Sequence, residues 1–146
     1  MSVRISVTKT VAIDRPYEEV HAFLADPANW PRWAVVNIQS IEPTDDPDWW
    51  RMSTPQGPAK LRLRARAESG VLDHDYVDDT ASWRVPARVV PNGDGADFMI
   101  TFHQPPSLTE SAFREQADLV DIELATLKKI LETDRAGRAD RDGGTG

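Results

Sequence analysis

Between residues 3 and 13, apolar side chains fall on odd positions (Val3, Ile5, Val7, Val11, Ile13), with Arg4, Ser6, Thr8 and Thr10 between them. This period of two predicts a strand with one buried face, broken once by Lys9. The strand ends at Asp14-Arg15-Pro16. Proline suits the first turn of a helix, and Glu18 and Glu19 sit where the helix dipole favours carboxylates. Val20, Phe23 and Leu24 then mark one helical face over about 16–25. Asp26-Pro27 predicts a second short helix with Asp26 as its cap. Its Trp30 and Trp33 are three apart and so share a face, and Pro31 limits the helix to a turn or two. Two tryptophans on so short a segment need a larger surface over them, and a sheet would supply it.

From 35 to 104 apolar runs alternate with turn chemistry. Strands are predicted over 35–42, 49–54, 59–67, 71–78, 82–90 and 96–103. The turns between them include Pro55-Gln56-Gly57-Pro58, Glu68-Ser69-Gly70 and Pro91-Asn92-Gly93-Asp94-Gly95, the last being the strongest hairpin signal. Such short connections require an antiparallel meander. Ser107, with Glu110 three residues on, reads as the capping box of a helix of about 25 residues. Phe113, Ala117, Val120, Leu124, Leu127 and Leu131 form its stripe, which Leu119, Ile122 and Ile130 are expected to widen.

The chain is therefore expected to be α+β: a curved seven-stranded antiparallel sheet wrapped around a long C-terminal helix, with two short helices between strands 1 and 2. One helix cannot fill such a concavity, so a pocket is expected between helix and sheet. Residues 1–132 are read as a single domain. The final segment, DRAGRADRDGGTG, completes a tail over 133–146 that is expected to be disordered.

Composition narrows the partners. Among 146 residues, 24 acidic against 17 basic side chains give a net charge of −7, which disfavours nucleic acid and anionic lipid. Lys60, Arg62, Arg64 and Arg66 read as the solvated face of a strand. No apolar run is long enough to cross a membrane, the alternating N-terminus is unlike a signal peptide, and there is no cysteine. A cytoplasmic protein, monomeric or homodimeric, with no metal and no cofactor, is the expectation. Sequence signatures of hydrolases, nucleotide-triphosphate enzymes and dinucleotide binders are missing.

The segment VAIDRPYEEVHAFLADPANWPRW at 11–33, followed by a meander and a long terminal helix, resembles the START-like (helix-grip, SRPBCC) superfamily, in its polyketide cyclase/dehydrase-like bacterial branch. The resemblance spans about residues 3–132. It implies the helix-grip fold and a cavity for an apolar ligand; superfamily members include aromatic polyketide cyclases, lipid and hormone carriers, chaperone activators and antibiotic self-resistance proteins. The catalytic arginines of its better-known cyclases have no residue-by-residue match here, and none is carried over.

The expected ligand is small and apolar, and a planar or fused-ring molecule would suit the tryptophans. Trp30 and Trp33 are expected to plug one end of its pocket. Trp50, Met52, Leu63, Leu72, Val85 and Ile100 are expected to line it from the sheet, and Phe113, Ala117, Val120 and Leu124 from the helix. Alternation places Leu72, His74 and Tyr76 on one face. If that face points inward, His74 and Tyr76 could act as a catalytic acid/base and polarising pair in a cofactor-independent cyclase or dehydratase. His74 could equally be a hydrogen-bonded pocket residue that does no chemistry. Both parities remain open for strands 48–54 and 82–103. Arg84, Arg88 and His103 are expected on the outer face or rim, and His21 on the surface. A protein-interaction module is a third reading, one that requires a large exposed apolar patch.

Overall fold

The computed structural model describes residues 2–145, with side chains described through Thr133. Strand β1 (Ser6–Ile13) leads into α1 (Tyr17–Leu24), a 3-10 turn (Pro27–Asn29) and α2 (Trp30–Trp33). The strands β2 (Ser40–Pro43), β3 (Trp50–Thr54), β4 (Gly57–Arg66), β5 (Val71–Asp78), β6 (Ser82–Val85), β7 (Ala87–Asn92) and β8 (Gly95–His103) follow. Helix α3 (Glu110–Thr145) closes the order. The sheet runs β1-β8-β7-β5-β4-β3-β2 with antiparallel neighbours, and β6 pairs with β5 off this path. This is the helix-grip fold. Of the tail expected over 133–146, the side chains from 134 onward lie outside those described.

Several local signals act as the sequence suggests. Asp26 accepts the Ala28 N–H at 3.0 Å, capping the 3-10 turn. The rings of Trp30 and Trp33 lie 5.3 Å apart, both buried. In β4, Ala59 and Leu61 are buried while Lys60, Arg64 and Arg66 are exposed.

Other expectations need correction. Residues 35–38 form a turn and not the start of a strand, because the Val36 and Asn37 N–H groups point to Glu123 on α3 and cannot join a ladder. The sheet has eight strands where seven were expected, because Pro86 breaks the 82–90 segment. Proline has no N–H to offer. The next amide, Ala87, donates instead to the Asp73 carboxylate at 2.9 Å. Helix α3 is capped by Thr109 and not Ser107: the Thr109 hydroxyl accepts from Ala112 N–H at 3.2 Å. Leu119 and Ile122 are exposed, so the buried stripe of α3 is narrower on that side. His21 is buried, its Nε2–H donating to the Val71 carbonyl at 3.2 Å. A helix one turn from its core-facing Leu24 carries it inward.

Two features position the cavity. Gly70 adopts φ +78° in the β4–β5 turn, and its carbonyl accepts from Val89 N–H at 2.9 Å. A Cβ there would stand 2.0 Å from the Val89 carbonyl oxygen, so no larger residue fits. The far half of α3 is stitched to the β1–α1 turn. Buried Arg15 donates to the Leu131 carbonyl, Lys128 donates to the Ala12 carbonyl at 2.7 Å, and Glu132 accepts from Asp14 N–H at 2.9 Å.

Candidate functional site: the cavity beneath the long helix

A cavity of about 240 Å³ lies between the concave face of the sheet and α3. Trp30 and Trp33 of α2 form part of its wall, with Met52 and Leu61 contributed by β3 and β4. Trp83, Val85, Ile100 and Phe102 come from β6 and β8, and Phe113, Ala117 and Val120 from α3. The inward parity is thus Met52 on β3, Val85 on β6 and Ile100 on β8. Arg84, Arg88 and His103 are exposed, on the opposite parity.

Trp50, Leu63, Leu72 and Leu124, expected in the lining, are not part of this wall. Leu72 and Leu124 are sealed in the core, and Trp50 and Leu63 are partly buried against it. Leu72 stands one pleat past His74 toward the Gly70 turn. On α3, Glu123 takes the cavity-facing position next to Leu124.

Both members of the expected pair, His74 and Tyr76, line the cavity. The His74 ring meets Trp30 edge-on at 4.9 Å, and its Nδ1–H donates to the Leu72 carbonyl at 3.0 Å. A carbonyl can only accept, so this bond fixes the proton on Nδ1 and leaves Nε2 as an acceptor in the neutral ring. Burial pushes the His74 pKa down, against the hydrogen bond to Leu72 and the charges of Asp73 and Asp75. The imidazole is therefore kept neutral, in the form able to take a proton. Burial pushes the Tyr76 phenol up; its hydrogen bond with Thr54 works against this, and the neighbouring Asp78 adds to it. Asp78 also lines the cavity. Burial would raise its pKa, but hydrogen bonds from Thr80, Ala81 and Tyr76 hold it below the usual value.

Sequence reasoning missed polar lining residues, Asp78 and Glu123 among them, of which Glu123 is the more buried. Only 4% exposed, it accepts from Val36 N–H at 3.2 Å, Asn37 N–H at 3.1 Å and Asn37 Nδ2–H at 3.1 and 3.2 Å. Burial pushes its carboxyl above the usual range, and these neutral donors offset the shift only in part. A signal for it was available, since position 123 lies three residues after Val120 and four before Leu127, inside the buried stripe. Trp33 supplies the complementary polarity. Its Nε1–H is buried with no hydrogen-bond partner among the described residues, whereas Trp30 Nε1–H donates to the Leu24 carbonyl at 2.8 Å. Such an unpaired donor is rare in folded proteins. Among the described residues no group of three or more potential ligands could hold a metal ion, and no helix is long and apolar enough to cross a membrane.

Comparison with known proteins agrees with this architecture. The START superfamily protein of Mycobacterium smegmatis superimposes with a TM-score of 0.69 at 14% identity, covering 88% of this chain and 97% of that one. XoxI of Bacillus cereus gives 0.68 at 14% identity, with 86% and 94% covered. The di-domain aromatase/cyclase BexL from the BE-7585A biosynthetic pathway gives 0.68 at 18% identity, with 88% of this chain but 46% of BexL covered. At these identities the likeness is one of fold. No curated protein matches the sequence. The family described as polyketide cyclase/dehydrase and lipid transport matches residues 4–132, nearly the whole described chain. The chain belongs to that family.

Proposed function

We propose that this protein binds a small, largely apolar ligand, ring-shaped in preference to long-chained, in the cavity beneath α3. The observation that carries this reading is the space of about 240 Å³ beneath the helix, walled largely by aromatic and aliphatic side chains. Its volume sits just under the roughly 300 Å³ at which typical small-molecule sites begin, which suits a compact molecule. The family's range, from cyclases to lipid transport, is consistent with such a site. The test is to fill it. Ala117→Trp places a large ring where α3 faces the space, and calorimetric titration with 1-naphthalenemethanol should then lose its heat while circular dichroism stays unchanged. Undiminished binding in that variant would place the ligand elsewhere.

A second reading, a cofactor-independent cyclase or dehydratase, is favoured by His74. Its Nδ1–H is committed to Leu72, its Nε2 is left as an acceptor, and burial keeps the ring in the neutral form that can take a proton. Tyr76, one pleat away, would polarise a ligand carbonyl. His74→Ala and Tyr76→Phe should each abolish turnover of a poly-β-ketone substrate and leave ligand binding within about threefold, a change worth under ~1 kcal/mol. Turnover that survives both substitutions removes the pair from the mechanism.

A further inference from the structure

The charges around the cavity are of one sign. Glu123 on α3 and Asp78 at the end of β5 both line it, and among the described residues no lysine or arginine does. The nearby arginines are used on the other face of the sheet, where Arg64 and Arg84 both pair with Asp75. Glu123 is the more exacting of the two carboxylates. All its partners are neutral amides, and its two oxygens are unequally served. Oε2 accepts from Val36 N–H, Asn37 N–H and Asn37 Nδ2–H, whereas Oε1 accepts only from Asn37 Nδ2–H. A carboxylate oxygen has room for two donors, so Oε1 has acceptor capacity to spare. The aromatic rings of Trp30, Trp33 and Trp83 share this wall, and aromatic faces attract cations.

We propose that the cavity selects its ligand by charge, taking an apolar ring compound that carries a protonated amine and rejecting a carboxylate. This rests on the ligand-binding reading above and names the class of ligand. An ammonium entering the cavity would donate to Glu123 in a charge-assisted bond and give that buried carboxylate the countercharge it lacks. A ligand carboxylate would lose its water beside two like charges with no cation to receive it. The overall charge of −7 favours the approach of the same class from a distance.

A matched series tests this: 1-naphthylmethylamine, 1-naphthalenemethanol and 1-naphthoate, titrated calorimetrically near pH 7 into the full chain. Sodium chloride at about 0.5 M shortens the screening length to roughly 4 Å, so that the diffuse surface charge does not set the ranking. The amine should bind at least tenfold more tightly than the acid, with the alcohol between them. In Glu123→Gln, or in Asp78→Asn should the first variant fail to fold, the ratio should fall to about threefold or less. Three results overturn the inference: an acid within tenfold of the amine, binding of the alcohol alone, or a ratio unchanged in the folded variant. If none of the three compounds binds, the ligand-binding reading itself fails, and this inference falls with it.

Discussion

Asp75 and Glu123 are both partly or fully shielded carboxylates, yet they sit on opposite sides of the sheet and are handled in opposite ways. Asp75, on the outer face of β5, is gripped by Arg64 Nη2 at 2.8 Å and Arg84 Nε at 3.1 Å. Burial would raise its pKa, but hydrogen bonds and charge from the two arginines hold it below the usual value. Glu123, on the inner side, has three hydrogen-bond donors against the two of Asp75 but no cation among the described residues, and its pKa goes up. Neutral donors suffice to lower the shallower Asp78, but they do not offset burial as deep as that of Glu123; at Asp75 two cations add their charge to the hydrogen bonds. The outer face is internally neutralised, whereas the cavity keeps an unmet demand.

The comparison can be broken most severely at Glu123. Glu123→Ala leaves the Val36 and Asn37 amides without acceptors and should cost about 3 kcal/mol, read as a lower midpoint in urea denaturation. Glu123→Gln sharpens the contrast through pH. A raised folded pKa means that stability is fully present below the ordinary value of 4.5 and is lost as pH climbs through the raised value. The amide carries no such loss, so the variant should gain on the parent as pH rises from about 4 to 8 in parallel thermal melts. Asp75→Asn should behave in the reverse sense and least strongly. A lowered folded pKa gives stability that is present above the ordinary value of 3.8 and lost as pH falls through the lowered one. The arginine side chains are 41% and 71% exposed, so solvent screening should keep the cost near or under about 1 kcal/mol at neutral pH, vanishing in acid. Parallel slopes for the two amide variants would refute the contrast.

Much of the fold was legible because its signals are local. Alternation in β1 and β4, the Asp26 cap and the turns at Gly70 and Gly93 depend on neighbours a few residues away. The stripe from Phe113 to Leu131 was equally readable, and those residues are buried in α3. What escaped notice depends on contacts across the chain. Residues 35–38 look like a strand until Glu123, more than eighty positions later, claims two of their amides. Leu63, Leu72 and Leu124 have the right parity or spacing, but Leu72 and Leu124 are packed into the core and Leu63 lies against it. Alternation tells which way a side chain points; it does not tell how far the space in front of it extends.

The Gly70 turn is, in this light, a unit of information as well as of structure. Side chains on β5 alternate between faces, so one inserted residue in the 67–70 turn would exchange the two sets wholesale. His74 and Tyr76 would face water, and Asp73 and Asp75 would face the cavity. The composition would barely change, yet the site would be rewritten. A glycine whose missing Cβ allows a carbonyl to come so close holds the reading frame of the cavity wall.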